Sequence, residues 1–150
     1  TITDPNMTRF FMTIQDAVGL VFKATSLMRD REIFILKMPS VKIKDLAKAV
    51  LESERETLKN AARIEIKTIG KKNGERMHEK LLTEEEAENA LETRDMFIIV
   101  PQEVQAAQPA RSTYPGAKRT NLREYSSRSQ KKLSVQEIKS MLERSDKECA

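Results

Sequence analysis

Residues 4–14, Asp-Pro-Asn-Met-Thr-Arg-Phe-Phe-Met-Thr-Ile, pass from a polar turn through a strand-like apolar run into a helix, with Arg9 set between turn and run. Outward from it, Thr1–Asp4 alternates and ends at Asp-Pro, which reads as a short strand closed by a turn. Thr13-Ile14-Gln15-Asp16 resembles a capping box with an acid in its fourth place. The helix it opens carries Ile14, Ala17, Val18, Val21 and Phe22 at helical spacing, which predicts that this face turns inward. Glu-Ile-Phe-Ile-Leu-Lys at 32–37 has the length and β-branching of a strand. Residues 41–59 follow as a second amphipathic helix, with Ile43, Leu46, Ala47, Val50 and Leu51 expected inside.

Further along, Arg-Ile-Glu-Ile-Lys-Thr-Ile at 63–69 alternates strictly, as a half-buried strand does. Residues 70–74 form a glycine-bracketed turn. Residues 75–82 can start a short helix, and Thr83 with Glu84-Glu85-Glu86 caps another, acids at the positive end of its dipole. Asp-Met-Phe-Ile-Ile-Val at 95–100 is a last strand, stopped by Pro101. Composition then shifts: residues 102–123 lack apolar periodicity and read as a linker or extended arm. Ser134 and Glu137 form a true S-x-x-E box ahead of Ile138, Met141 and Leu142. The order β-α-β-α-β-(α)-β predicts a small α/β lobe over residues 1–101, an arm over 102–132 and a C-terminal helix over 133–150.

Composition narrows the chemistry. At 150 residues, 39% hydrophobic and 33% charged, the chain is long enough for one domain or one lobe. Its apolar runs fall far short of the ~20 residues that span a bilayer, so no membrane insertion is expected. Its first residues lack the basic and apolar regions of a signal peptide, and the cytoplasm is the expected compartment. The chain begins with Thr1 in place of Met, so a native start is not expected here. Cys149 and His78 are the sole cysteine and histidine, too few for a zinc site or a histidine relay. Residues 1–101 hold 17 basic and 17 acidic side chains, whereas 102–150 hold 10 and 6, so the whole net charge of +4 lies in the tail. With two tyrosines, five phenylalanines and no tryptophan, stacking on nucleic acid is not expected.

Two stretches carry binding chemistry. The Arg9 guanidinium offers a fixed fork of donors that can grip two phosphate oxygens; the plainer alternative is a surface arginine paired with Asp4 or Asp16. In Gly-Lys-Lys-Asn-Gly-Glu-Arg at 70–76, glycines let backbone amides approach a ligand, lysines supply charge, and Glu75 could accept from ribose hydroxyls. The alternative is a solvated basic turn, and the segment lacks the G-K-[ST] ending of a P-loop. His78, with no nucleophile or second ligand beside it in sequence, reads as structural. The three glutamates read as a helix cap, and the seven methionines as core filler.

Four segments, DPNMTRFFMTIQDAV, EIFILKMPSVKIKDLAKAV, IGKKNGERMHEKLLTEEEA and DMFIIVP, in that order, closely resemble the C-terminal half of inverting UDP-N-acetylglucosamine 4,6-dehydratases. That group includes the capsular-polysaccharide epimerase/dehydratases of the extended short-chain dehydrogenase/reductase superfamily. The tail, REYSS followed by KKLSVQEIKSML, is similar to the family's arm and terminal helix. The resemblance implies the C-terminal substrate-binding lobe of such an enzyme, a small sheet with flanking helices, with the N-terminal Rossmann half absent. It implies a UDP-sugar ligand, a homo-oligomer, and NADP in the complete enzyme, where a hydride leaves C4, water is lost across C5–C6 and the hydride returns at C6. No cofactor site is expected in this chain: its four glycines form no G-x-x-G-x-x-G, and although Lys118 stands four residues after Tyr114, the resemblance places the family's Tyr-x-x-x-Lys pair upstream of this region. No catalytic residue is assigned, and the chain alone is expected to be inactive. By the same resemblance Arg9 would hold the diphosphate, Lys72 a phosphate, and Glu75 the ribose or uridine. Lys72 replaces the family's arginine and so loses the bidentate fork, and Asn73 replaces the proline that stiffens the family's turn. The other class of reading is a non-catalytic orphan lobe serving as a protein-interaction module.

Overall fold

The computed structural model describes residues 1–54, 64–101 and 114–149. In chain order they form β1 (Thr8–Phe10), α1 (Ile14–Leu27), β2 (Ile33–Leu36), β3 (Ser40–Lys42), α2 (Ile43–Ser53), β4 (Lys80–Leu82), α3 (Glu84–Asn89), β5 (Ala90–Glu92), β6 (Met96–Ile99), β7 (Lys118–Arg119), β8 (Tyr125–Ser126) and α4 (Val135–Cys149). The chain divides into two compact units. One comprises Thr1–Ile14, Pro39–Glu79 and Ser127–Ala150; the other comprises Gln15–Met38 and Lys80–Ser126. The architecture is mixed α/β, and the strand pairs that build its sheets are antiparallel.

In the first unit the Asp4 carboxylate accepts the Asn6 N–H at 2.7 Å and the Asp4 carbonyl accepts the Met7 N–H at 3.3 Å. This Asx turn aims the chain into β1, which pairs with β3 so that Arg9 lies opposite Val41. Helices α2 and α4 close a core of Val41, Ala49 and Ile138, with Phe11, Leu46, Leu133 and Leu142 packed around it. The box at α4 forms as expected: the Glu137 carboxylate accepts the Ser134 N–H at 2.8 Å and the Ser134 hydroxyl accepts the Glu137 N–H at 3.3 Å. The Ser134 N–H, Lys131 and the Ser134 hydroxyl hold the Glu137 carboxyl down to about 2.

The second unit is built on a four-stranded sheet in the order β2-β6-β5-β7, with Met96, Ile98, Leu91 and Tyr114 in its core. Its α3 carries the expected cap, Thr83 and Glu86 exchanging backbone and side-chain hydrogen bonds. Two tyrosines anchor segments without apolar periodicity. The Tyr114 ring is 1% exposed and its hydroxyl donates to Glu32. The Tyr125 hydroxyl accepts the Met38 N–H at 2.7 Å and donates to the Met38 carbonyl at 2.8 Å, while its ring meets Phe97 at 5.0 Å.

Several expectations change. The strands read at 1–4 and 63–69 reduce to one parallel bridge, Ile2 to Thr68, with Arg63 outside the described residues; Ile64 and Ile69 stay exposed, so their alternation meets no core. The helix read at 75–82 does not form. Met77 and Glu79 give their carbonyls to Thr8 and Ser127 in place of an i+4 partner, and Lys80–Leu82 becomes a strand paired with β8. Helix α2 begins two residues late because Val41 is drawn into β3, and its Val50 is exposed; positions 55–59 lie outside the described residues. On α1 the stripe expected inside is outside: Ile14 is 73% and Phe22 72% exposed, and Leu20 and Leu27 pack on the core instead. This helix is apolar on more than one face, so periodicity finds the helix but cannot choose its buried side. Residues 102–113 of the stretch read as a linker lie outside the described residues; residues 114–123 contribute Tyr114, Ala117 and β7 to a packed sheet.

Burial would raise the Glu32 carboxyl, but the Tyr114 hydroxyl and the N–H groups of Asp30 and Arg29 outweigh it and hold the group at about 2. A depressed carboxylate stabilises the fold above its unfolded pKa, and that contribution is lost as pH falls through the folded value. Tyr114→Phe should therefore move the Glu32 midpoint, followed by NMR, up toward the ordinary ~4.3 and shift acid unfolding to higher pH. A Glu32 midpoint that stays at its wild-type value would contradict this account.

Candidate functional site

Residues 76–79 run beside β1, and each gives it a different contact. The Arg76 carbonyl accepts Arg9 Nη2 at 2.9 Å. The Met77 carbonyl accepts the Thr8 N–H at 2.9 Å and Arg9 Nη1 at 3.5 Å. His78 Nδ1 meets Thr8 Oγ1 at 2.8 Å. One oxygen of Glu79 accepts the Phe10 N–H at 2.9 Å, and the other lies 3.6 Å from Arg9 Nε. Arg9 Nη1 also donates to its neighbour's carbonyl, Thr8 O, at 2.7 Å. The guanidinium is therefore oriented by main-chain oxygens and by Glu79; Asp4 and Asp16, the partners weighed from sequence, are not the ones it takes.

Beneath it lies a buried polar knot. Ser127, 0% exposed, accepts the Glu79 N–H on its Oγ at 2.9 Å, and its own N–H donates to the Glu79 carbonyl at 2.8 Å. Ser127 Oγ also lies 2.8 Å from Thr8 Oγ1 and 3.2 Å from Thr8 O. Burial, then the positive charges of Arg128, Lys132 and Arg9, hold the His78 imidazole below its ordinary range. Lys132 is itself lowered by burial and by Lys42, so cations crowd this side of the unit.

The turn that precedes the segment is closed from both ends. The Glu75 N–H donates to the Lys72 carbonyl at 3.2 Å, and the Glu75 carboxylate accepts the Lys72 N–H at 2.9 Å. Gly74, at φ +84°, takes the left-handed conformation this turn needs. Lys72 is exposed, and Glu75 stands one residue before the carbonyl that holds Arg9. The three residues singled out from sequence thus belong to one unit, with Arg9 fixed on the segment that leaves the turn.

Thr8 and Ser127 were not singled out, and little in the sequence marks them. They are 119 positions apart, and a serine or threonine has no periodicity of its own. The one local signal is a hydroxyl between Met7 and Arg9 at an inward strand position. Among the described residues no group of three or more His, Cys, Asp or Glu side chains is placed to hold a metal ion. Among them also, no helix is long and apolar enough to cross a membrane.

Ser127→Ala should strand the Glu79 N–H and leave Thr8 Oγ1 with His78 alone, at a cost of about 1–3 kcal/mol. Urea unfolding checks this, and a midpoint equal to the wild type's would show the knot to be dispensable.

The family described as polysaccharide biosynthesis protein matches residues 1–101. An uncharacterized membrane protein of Methanocaldococcus jannaschii is 51% identical over 102 residues, covering 67% of this chain and 31% of its own length. A UDP-glucose 4-epimerase of Rickettsia rickettsii is 36% identical over 143 residues, covering 95% of this chain and 40% of its own. The X-ray structure of Pen from Bacillus thuringiensis superposes with a TM-score of 0.75 at 33% identity, over 97% of this chain and 41% of that one. The chain therefore spans well under half the length of each of these relatives. Together they support the resemblance to extended short-chain dehydrogenase/reductases.

Proposed function

Because the chain belongs to the polysaccharide biosynthesis protein family, we propose that it is the UDP-sugar-binding part of a nucleotide-sugar 4,6-dehydratase or epimerase, with UDP-N-acetylglucosamine as the ligand. The observation that carries this reading is the fixing of Arg9 against residues 76 and 77, directly after the Lys72–Glu75 turn. That arrangement gives a diphosphate a guanidinium fork from β1 and an ammonium from the turn. The remaining oxygen of Glu75 would take a ribose hydroxyl, while the first keeps the turn closed.

NADP, bound in the part of the longer relatives that this chain does not span, would supply the hydride chemistry. Residues of this chain do not fit that role. Tyr114 has Lys118 four residues on, but it is buried and its hydroxyl is taken by Glu32; Tyr125 has no lysine at that spacing and its hydroxyl is taken by Met38. The work assigned to this chain is to bind and orient the nucleotide. In the complete protein, a cytoplasmic homo-oligomer in this reading, that binding fixes the sugar relative to the reacting centre.

A second reading, an orphan lobe acting as an interaction module, is favoured by one observation. Arg9 already donates to chain carbonyls and Glu75 already closes its own turn, so both have structural work without a ligand. Nucleotide binding separates the two. In the full-length protein, Arg9→Ala should raise the Kd for UDP by about 10–100-fold, the loss of one or two charge-assisted hydrogen bonds. Calorimetry that finds UDP bound equally well by the variant would remove Arg9 from the site, and no binding by the wild type would favour the module.

A further inference from the structure

We propose that His78 is a positioning residue for the anion site at Arg9, and that it couples anion binding there to uptake of one proton. The inference deepens the reading of Arg9 as a phosphate contact and rests on it.

The coupling follows from how the knot can rearrange. A neutral His78 with a bare Nδ1 accepts from Thr8 Oγ1, which must then accept from Ser127 Oγ. A protonated His78 donates from Nδ1 to Thr8 Oγ1, which can then donate to Ser127 Oγ. Ser127 is left to donate to the Thr8 carbonyl at 3.2 Å while still accepting the Glu79 N–H. Both protonation states therefore keep every hydroxyl partnered, and the two chains of bonds differ only in direction. What opposes protonation is charge. Arg9 on β1 and Arg128 and Lys132 after Ser127 all act on the ring, with Lys42 on β3 acting on Lys132. Glu79, next in sequence, is drawn to Arg9 and to the Phe10 N–H.

A diphosphate seated at Arg9 neutralises part of that positive field and draws on the same guanidinium that Glu79 holds. Protonation of His78 then costs less, and by linkage the charged imidazole strengthens anion binding by the same factor. Because the ring is tied through Thr8 to the strand that carries Arg9, the proton reaches the site without His78 touching the ligand.

The test is calorimetric titration of the full-length protein with UDP-N-acetylglucosamine at about pH 5.5 and pH 7.5, on the wild type and His78→Gln. A UDP-sugar is the right probe because its diester diphosphate keeps its charge across this range, whereas UDP itself takes up a proton. The wild type should bind at least ~3-fold more tightly at the lower pH, a modest part of the tenfold that one pK unit of coupling gives. His78→Gln keeps a polar partner for Thr8 and should bind with one affinity at both. Equal wild-type affinities, or a pH dependence that survives in the variant, would overturn the coupling and leave Arg9 as a phosphate contact. No binding at either pH would overturn both. NMR of the wild type gives a readout that does not depend on the variant's folding: saturation with the UDP-sugar should raise the His78 midpoint, and an unmoved midpoint refutes the proposal.

Discussion

The first unit depends on residues 76–79 running alongside β1 and not coiling into a helix. A strand of three residues has few ladder bonds, and β1 spends one side on β3. The other side would present the Thr8 N–H unpaired, and the Met77 carbonyl supplies its acceptor. Once that bond is made, the carbonyls of residues 76 and 77 face the guanidinium, the imidazole faces Thr8, and the Glu79 main chain exchanges bonds with Ser127. A buried N–H left without a partner costs more than a typical hydrogen bond contributes, so these contacts form together or not at all.

The electrostatics of the two units differ in kind. In the second, each acid is met by its own set of donors: Glu32 meets Tyr114, and Glu92 meets Lys37 at 2.5 Å and Thr120 at 2.9 Å. Their carboxyls are held below the ordinary range by those partners despite burial. In the first, Arg128, Lys132 and Arg9 act on a half-buried imidazole that is lowered by burial and by their charge, and Lys42 acts in turn on Lys132. Concentrated positive charge over a satisfied polar knot suits an anion better than an apolar or cationic ligand.

Much of the secondary structure was legible from the chain alone because its causes are local. The boxes at Thr83–Glu86 and Ser134–Glu137 span three residues and form as read. The strands at 33–36 and 96–99 are short β-branched runs that pair with each other. The glycine-bracketed turn and the placing of Arg9 ahead of an apolar run likewise follow from neighbours in sequence. The order of segments also carried the broader family, since the polysaccharide biosynthesis protein family matches residues 1–101.

What only the tertiary structure decided involves partners far apart in the chain. Helix α1 has apolar residues on more than one face, and packing of Leu20 and Leu27 chose the buried one. Segment 76–79 has a helix-like composition, yet long-range bonds to Thr8 and Ser127 hold it out of a helix. Arg9 takes Glu79, 70 positions away, over the acids close to it in sequence. Local sequence sets which conformations are cheap. Buried hydrogen bonds between distant segments settle the choice where two are nearly equal, and no periodicity records which distant group will arrive.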